Sequence, residues 1–192
     1  MTARDAGTRD ESPGNTNGAW EKQGNIQVVE FRLGREQYAI DLFDVKEVVE
    51  NSTITRLPNT PPYLKGVIDL RGEITTIVDL NQRLNVIADA PVMTSENRRI
   101  IVLDEKMTAV KTGIIVDEVS SVSTFEKSSV DRMAASLGQD DSAILGIIRK
   151  KINVREKEGS ELVVWIDIRQ ILRDIGCMVE MGNGDVPPEP AS

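Results

Sequence analysis

The sequence contains no histidine and only one cysteine among its 192 residues. Histidine is the commonest general base near neutral pH and the commonest metal ligand, so its absence removes the most frequent chemistry of both kinds. One cysteine permits neither an internal disulfide nor a zinc site built from thiolates. The absence of a disulfide framework fits a reducing cytosol.

Long apolar runs are also missing. No stretch approaches the roughly 18 apolar residues that are needed to span a bilayer. The first residues, MTARDAGTRDESPGNTNG, contain no apolar core of a secretory signal, so we expect a cytoplasmic protein with no direct membrane insertion. Acidic side chains outnumber basic ones by 31 to 23, for a net charge of −8. Such a surface repels phosphates, which makes nucleic acid and anionic lipid poor candidate ligands.

Composition divides the chain into a central body and two polar ends. Residues 1–25 are rich in Gly, Ser, Thr, Asn and charge, and this composition predicts a disordered N-terminal arm. Residues 179–192 are predicted to form a flexible tail for the same reason. The remaining residues, 26–178, should form a single domain that is long enough to bury a core.

The body has the composition of a mostly β protein. Gly34-Arg35-Glu36-Gln37 separates two apolar runs and predicts a hairpin. Asp79 and Asp167 each begin a capping-box pattern, and the second predicts a short helix over 168–176. Short runs rich in Ile, Val and Thr predict strands at 26–33, 38–42, 64–70, 73–80, 99–103, 107–119 and 161–168. Many short strands and few helices favour barrels or a sandwich.

Two stretches of the sequence are repeated. Residues 77–84 align with 165–172, and a weaker match pairs 28–31 plus 38–42 with 100–103 plus 113–116. Because the two matches occur in the same order, they predict two similar β-lobes. We place lobe one at about 26–88 and lobe two at about 97–178, with linker composition between them.

One segment, Lys65-Gly66-Val67-Ile68-Asp69-Leu70-Arg71-Gly72, combines an apolar strand with two flanking glycines. Gly66 and Gly72 suit tight or positive-φ backbone where the strand begins and ends.

The charged residues near this strand have two interpretations. Arg71 offers a rigid fork of donors, either for an internal ion pair with Glu47 or Asp69 or as an anchor for a protein partner. Spacing alone favours the ion pair. If residues 45–50 are extended, Val45, Glu47 and Val49 share one face, as either a partner-binding patch or a charged edge strand.

Catalytic candidates are weak. Seven aspartates lie mostly at strand ends, where caps and turns favour them: Asp41, Asp44, Asp69, Asp79, Asp104, Asp117 and Asp167. Calcium-loop, Walker and HExxH motifs are missing from the sequence. We therefore expect no enzyme, no cofactor and no metal site.

The motifs together closely resemble the CheW family of chemotaxis coupling proteins. The resemblance is carried by Phe31-Arg32-Leu33-Gly34, Tyr38-Ala39-Ile40-Asp41, Val45-Lys46-Glu47-Val48, the run from Leu57 to Gly72, Ile77-Val78-Asp79-Leu80, Gly113 to Val119 and Val163 to Ile168. It spans about residues 26–178. One departure is Asp69, which stands where the family usually carries Asn.

This resemblance implies two packed, five-stranded SH3-like β-barrels with few short helices. It implies a non-catalytic adaptor, or scaffold, that couples the cytoplasmic tips of methyl-accepting chemoreceptors to the regulatory domain of the histidine kinase CheA, and is recruited to membrane receptor arrays. The family's receptor groove lies between the lobes. The alternative is a CheW-like scaffold in another histidine-kinase pathway, for surface motility or development. Residues that match family positions implicated in receptor or kinase coupling are Val45, Glu47, Lys65, Gly66, Arg71 and Gly72.

Overall fold

The computed structural model describes residues 24–86, 98–106, 108, 110–132, 143–154 and 157–173. Nearly all of the predicted arm, most of the predicted linker and the whole predicted tail lie outside these residues. Within the described ranges, no helix has the length and apolar character needed to cross a membrane.

The described residues form eleven strands and two short helices. In chain order they are β1 (Asn25–Leu33), β2 (Glu36–Asp41), β3 (Val45–Glu50), β4 (Leu64–Leu70), β5 (Glu73–Asp79), α1 (Leu80–Arg83), β6 (Arg99–Leu103), β7 (Thr112–Val116), β8 (Glu118–Glu126), β9 (Val130–Asp131), β10 (Ile144–Val154), β11 (Lys157–Ile166) and α2 (Ile168–Ile171). Single 3-10 turns at Leu42–Asp44 and Lys127–Ser129 precede β3 and β9. Helix α2 covers Ile168–Ile171 of the predicted 168–176, and the part of that prediction from residue 174 onward lies outside the described residues.

The strands form two sheets. One has six strands in the order β8-β1-β2-β11-β10-β9, and the other has five in the order β3-β6-β7-β5-β4. The mostly β class with two packed units and few short helices is confirmed. The ladders are open rather than closed barrels, and one sheet gains a sixth strand of two residues, β9.

The two sheets do not follow the expected lobes at 26–88 and 97–178. The hairpin β1–β2 lies in the sheet of β8–β11, whereas β6 and β7 lie in the sheet of β3–β5. Each hairpin joins the other sheet through a parallel strand pair. Strand β2 pairs with β11, with Tyr38 opposite Val164, and β7 pairs with β5, with Ile114 opposite Val78. The sequence of a hairpin sets the register between its own two strands, but it does not specify which strand pairs with the outer side of either one. The distant parallel partner is therefore selected by tertiary packing.

The internal repeat predicted from the sequence is present as a structural equivalence. Strands β6–β7 take the place in one sheet that β1–β2 take in the other, and β4-β5-α1 corresponds to β10-β11-α2. Bulges occur at matching points, before Gly66 and before Gly146. Asp79 and Asp167 both cap the helix that follows.

Successive side chains of the central strands point alternately into two different apolar clusters. Ile100 and Val102 face a cluster inside the five-stranded sheet, whereas Ile101 and Leu103 face a cluster between the sheets. The six-stranded sheet encloses its own inner cluster, which includes Trp165. The central cluster takes residues from both sheets, so the two units bury their apolar faces against each other.

One inner position breaks this apolar pattern. Glu30 is only 1% exposed, and its carboxylate lies 2.7 Å (Oε2) from Nζ of Lys150. By the matching registers, Val102 and Leu70 hold the equivalent positions in the other sheet. The six-stranded sheet therefore contains a buried ion pair where its counterpart has two apolar side chains.

A short bridge partly closes each of the two open sheets. Thr55, beyond β3, exchanges two backbone hydrogen bonds of 2.9 Å with Val67 on β4, although β3 and β4 are opposite edges of their sheet. In the other sheet, β8 continues through a 3-10 turn into β9, which pairs with β10. These bridges give each unit its barrel-like shape.

Candidate functional site

Arg71 and Glu47 form a bidentate ion pair at one end of the five-stranded sheet. Arg71 Nη2 lies 2.8 Å from Glu47 Oε2, and Nη1 donates to Oε1 at 3.2 Å. The predicted ion pair is confirmed, with Glu47 rather than Asp69 as the partner. The Arg71 side chain is 74% exposed and that of Glu47 is 22% exposed, so a mostly buried carboxylate holds a guanidinium that is open to solvent.

The turn that carries Arg71 is a two-residue hairpin loop. Leu70 pairs with Glu73, and the residues between them, Arg71 and Gly72, have φ values of 57° and 84°. Positive φ at both positions is the requirement of a type I′ turn. Asp69 Oδ1 accepts a hydrogen bond of 2.7 Å from the backbone N–H of Gly72. The amide oxygen of an asparagine would accept the same bond.

Four more charged side chains extend the pair around the end of the sheet. Lys46 Nζ lies 2.6 Å from Glu105 Oε1, Lys111 Nζ lies 3.7 Å from the same oxygen, and Lys111 also contacts Glu73. We call this set of residues with alternating sign the charged rim; it comprises Lys46, Glu47, Arg71, Glu73, Glu105 and Lys111. The hydrogen bond to Glu105 raises the pKa of Lys46, whereas desolvation and the nearby Lys46 lower the pKa of Lys111.

Lys65 and Gly66 have structural contacts further along β4. Lys65 Nζ lies 3.2 Å from Oδ2 of the buried Asp79, whose Oδ1 caps α1 by accepting from the N–H of Gln82. Gly66 has a φ of +139°, and a Cβ placed there would lie 2.0 Å from the carbonyl oxygen of Thr55. Gly66 therefore lets the bridge from Thr55 approach β4.

The six residues proposed from the sequence thus lie in three places. The structure brings Glu47, Arg71 and Gly72 together at the charged rim, while Lys65 and Gly66 lie away from it. Val45 begins β3 and packs, half-buried, against the central cluster. Lys46, Glu73, Glu105 and Lys111 were missed, because their contacts join strands that are far apart in the sequence.

A second feature is a cavity of about 290 Å³ where the chain passes between the sheets. We call it the junction pocket; its lining residues are Asp41, Phe43, Asp44, Leu145, Ile166, Asp167 and Arg169. Asp44 Oδ1 accepts from Nη2 of Arg169 at 2.7 Å. Phe43 is 77% exposed beside the pocket.

Local capping explains the positions of the pocket's acidic residues. Asp41 Oδ1 accepts from the N–H of Phe43 at 2.9 Å, and Asp167 Oδ1 accepts from the N–H of Arg169 at 2.9 Å. Burial raises the pKa of Asp44, as do the neighbouring Asp41 and Asp167 to a smaller extent, while Arg169 opposes the rise. Asp44 in turn raises the pKa of Arg169. Sequence reasoning treated these aspartates as scattered; only the match of Asp79 with Asp167 hinted at a shared role.

Comparison with known proteins agrees with this architecture. The family model of the CheW-like domain matches residues 27–176. The chain is 32% identical to the chemotaxis protein CheW of Klebsiella aerogenes over 145 residues, covering 74% of this chain and 78% of that one. It is 31% identical to the chemotaxis protein CheW of Bacillus subtilis over 153 residues, covering 74% and 94%. The crystal structure of the scaffolding protein TtCheW from Thermoanaerobacter tengcongensis superimposes with a TM-score of 0.61 at 28% identity, covering 78% of this chain and 93% of that one.

Two equivalent β units, an exposed charged rim and an exposed phenylalanine beside an acidic pocket define a protein-interaction scaffold. The comparisons specify the class further: the chain belongs to the CheW family. It is an adaptor of chemotaxis signalling, of the family that couples chemoreceptors to CheA. The relatives reported above are named as chemotaxis or scaffolding proteins, which does not favour the alternative pathway in motility or development.

Proposed function

We propose that this chain works without a catalytic step, through two protein contacts. The charged rim binds the regulatory domain of a CheA-type kinase, and the junction pocket lies in the groove that binds the helical tip of a methyl-accepting chemoreceptor. The adaptor acts in the cytoplasm and is recruited to membrane receptor arrays by these contacts. The observation that carries the proposal is the exposed, bidentate pair between Arg71 and Glu47.

The rim suits a protein contact because its arginine is ordered before binding. A type I′ turn and two contacts to Glu47 fix the guanidinium of Arg71, so little side-chain freedom remains to be lost on association. An exposed ion pair contributes only about 0–1 kcal/mol to folding. The strands that carry the rim also expose apolar side chains, with Val48 of β3 42% and Ile74 of β5 74% exposed. Apolar area edged by charge is the usual anatomy of an interface.

The junction pocket suits a helix. The exposed Phe43 and Leu145 offer apolar contact, and the aspartates supply a charged edge. The pocket also lies where the chain crosses from one sheet to the other, so a ligand there contacts β2, β10 and α2 together. Coupling between receptor and kinase then requires only that the two binding free energies depend on each other. Assembly in arrays raises the effective concentration and lets weak contacts suffice.

A charge reversal at the rim tests the proposal. Arg71→Glu should weaken binding of the kinase regulatory domain at least tenfold, measured by calorimetry, because it removes an interface arginine and repels Glu47. Its free energy of unfolding should change by less than about 1 kcal/mol, since the side chain is exposed. Arg35→Glu, in the two-residue turn between β1 and β2, is the control with the same charge change and should bind normally.

Two results would contradict the proposal. A large loss of stability in Arg71→Glu with unchanged affinity would make Arg71 structural only. A wild-type chain that binds neither the kinase domain nor a receptor signalling fragment would refute the adaptor role itself.

A further inference from the structure

The two equivalent units differ at one position that bears on the junction pocket. Leu64 pairs with Val78 and Gly66 with Ile77, just as Ile144 pairs with Ile166 and Gly146 with Trp165. The residues inside the two bulges are therefore equivalent: Lys65 in one unit and Leu145 in the other.

The residues opposite them are equivalent as well. Asp79 and Asp167 each follow β5 or β11 directly and each cap the next helix. Each also donates its backbone N–H to a carbonyl 2.7 Å away, that of Tyr63 or that of Ala143. In the five-stranded unit, Lys65 Nζ satisfies Asp79 at 3.2 Å. In the six-stranded unit, a leucine replaces this lysine and the junction pocket adjoins the aspartate.

The charge in the pocket is correspondingly unbalanced. Among the described lining residues, three carboxylates, of Asp41, Asp44 and Asp167, face the guanidinium of Arg169, which gives these residues a net charge of two negative. Burial raises the pKa of Asp44 most, Arg169 opposes that rise, and Asp41 and Asp167 each add a smaller rise. A second cation in the pocket would relieve this repulsion.

We propose that the junction pocket receives a lysine side chain of the partner protein, whose ammonium meets Asp167 as Lys65 meets Asp79 in the equivalent unit. The four-carbon stem lies along the exposed Phe43 and Leu145, and the ammonium makes charge-assisted hydrogen bonds to the carboxylates. Two independent observations support this: the acidic, partly apolar cavity, and the built-in lysine at the equivalent position. The assignment of the lysine to the receptor tip rests on the proposed function.

Two substitutions test the subsite without removing a cap. Leu145→Lys supplies the ammonium from within and fills the site. Asp167→Asn removes the charge but keeps a side-chain oxygen that accepts from the N–H groups of Arg169 and Gln170. Glu36→Gln, at the opposite end of β2 from Asp41, is the control with the same loss of charge. Thermal melts should show that all three variants are folded.

The first experiment uses n-butylammonium, a lysine side chain without its backbone, and needs no partner. In a titration followed by NMR, the amide signals of Leu145 and Asp167 should shift and saturate in the wild type and in Glu36→Gln. The shifts should vanish in Leu145→Lys, decrease in Asp167→Asn, and be absent with the neutral 1-butanol. Equal shifts in all variants, or equal shifts with the alcohol, would overturn the subsite.

The second experiment measures affinity for a receptor signalling fragment. Leu145→Lys and Asp167→Asn should each bind about tenfold more weakly, the effect of one lost charge-assisted contact, while Glu36→Gln should bind normally. Unchanged affinity in both variants would overturn the assignment to the receptor tip. Failure of the wild type to bind the fragment would refute the proposed function, whereas the butylammonium titration would still decide the subsite.

Discussion

Alanine at Gly66 provides a quantitative test of how the five-stranded unit closes. A Cβ at this position would lie 2.0 Å from the carbonyl oxygen of Thr55, 2.8 Å from its carbonyl carbon and 3.0 Å from Cα of Arg56. All three are backbone atoms, so no side-chain rotation relieves the clash. The bridge between Thr55 and Val67, with its two hydrogen bonds, must move away.

Three overlapping effects contribute to the expected loss in the free energy of unfolding, which is therefore smaller than their sum. Forcing alanine to a φ of +139° costs about 1–2 kcal/mol, overpacking costs about 1–3 kcal/mol, and two lost hydrogen bonds contribute about 1 kcal/mol each. Allowing for overlap among these effects, we expect Gly66→Ala to lower the free energy of unfolding by about 3–5 kcal/mol.

Gly72 is the matched control, because it also has positive φ, +84°, but none of the described residues has an atom within 4 Å of a Cβ placed there. Gly72→Ala should therefore lose only the conformational part, about 1–2 kcal/mol. Urea unfolding of both variants measures the difference: about 2–3 kcal/mol at slopes of about 1–3 kcal/mol/M lowers the midpoint of Gly66→Ala by roughly 0.7–3 M relative to that of Gly72→Ala. If the two variants unfold within about 1 kcal/mol of each other, the close approach of Thr55 is not what requires glycine.

Three further predictions concern buried or capping carboxylates. Lys150→Leu should destabilise the protein by about 3–5 kcal/mol in urea unfolding, because it leaves the buried carboxylate of Glu30 without its lysine. Adding Glu30→Val should restore most of the lost stability. A double variant no more stable than Lys150→Leu would contradict this prediction. Burial raises the pKa of Asp44 in the folded state above its ordinary value of 3.8. The contribution of Asp44 to the free energy of unfolding is therefore most favourable below pH 3.8 and is lost as the pH rises through the folded-state pKa. The stability of the wild type relative to Asp44→Asn should thus fall as the pH rises from 3 to 7, and a rising difference would refute the assignment. Asp69→Asn should unfold within about 0.5 kcal/mol of the wild type, since it keeps the acceptor for Gly72, while Asp69→Ala should lose about 1 kcal/mol.

Interactions of short range were accessible from the sequence. The hairpin around Gly34 and the helix caps at Asp79 and Asp167 are present, because each depends on residues a few positions apart. The pair between Arg71 and Glu47 was one of two alternatives, and the structure chose between them. The choice depends on the barrel-like closure of the sheet, which brings its two edges together.

The charged rim and the junction pocket were not accessible in the same way. Lys111 contacts Glu73 only because β5 and β7 pair in parallel. Asp41 and Asp167 line the same pocket only because β2 pairs with β11. The contact between Asp44 and Arg169, in the same pocket, joins residues that are 125 positions apart. Contacts of this kind leave no local pattern, because residues from distant strands contribute one or two side chains each.

The sequence by itself determined the caps, the existence of two similar units and most of the strands, since alternation, turn chemistry and internal repetition are local properties. It did not predict β9 or β10, and the predicted strand 107–119 is divided between β7 and the start of β8. Tertiary structure decided which hairpin joined which unit. The hairpins β1–β2 and β6–β7 carry similar alternating apolar patterns, so that pattern alone does not assign either hairpin to a sheet. The parallel pairing and the shared central cluster select the exchanged arrangement, and with it place the acidic pocket at the crossing between the sheets.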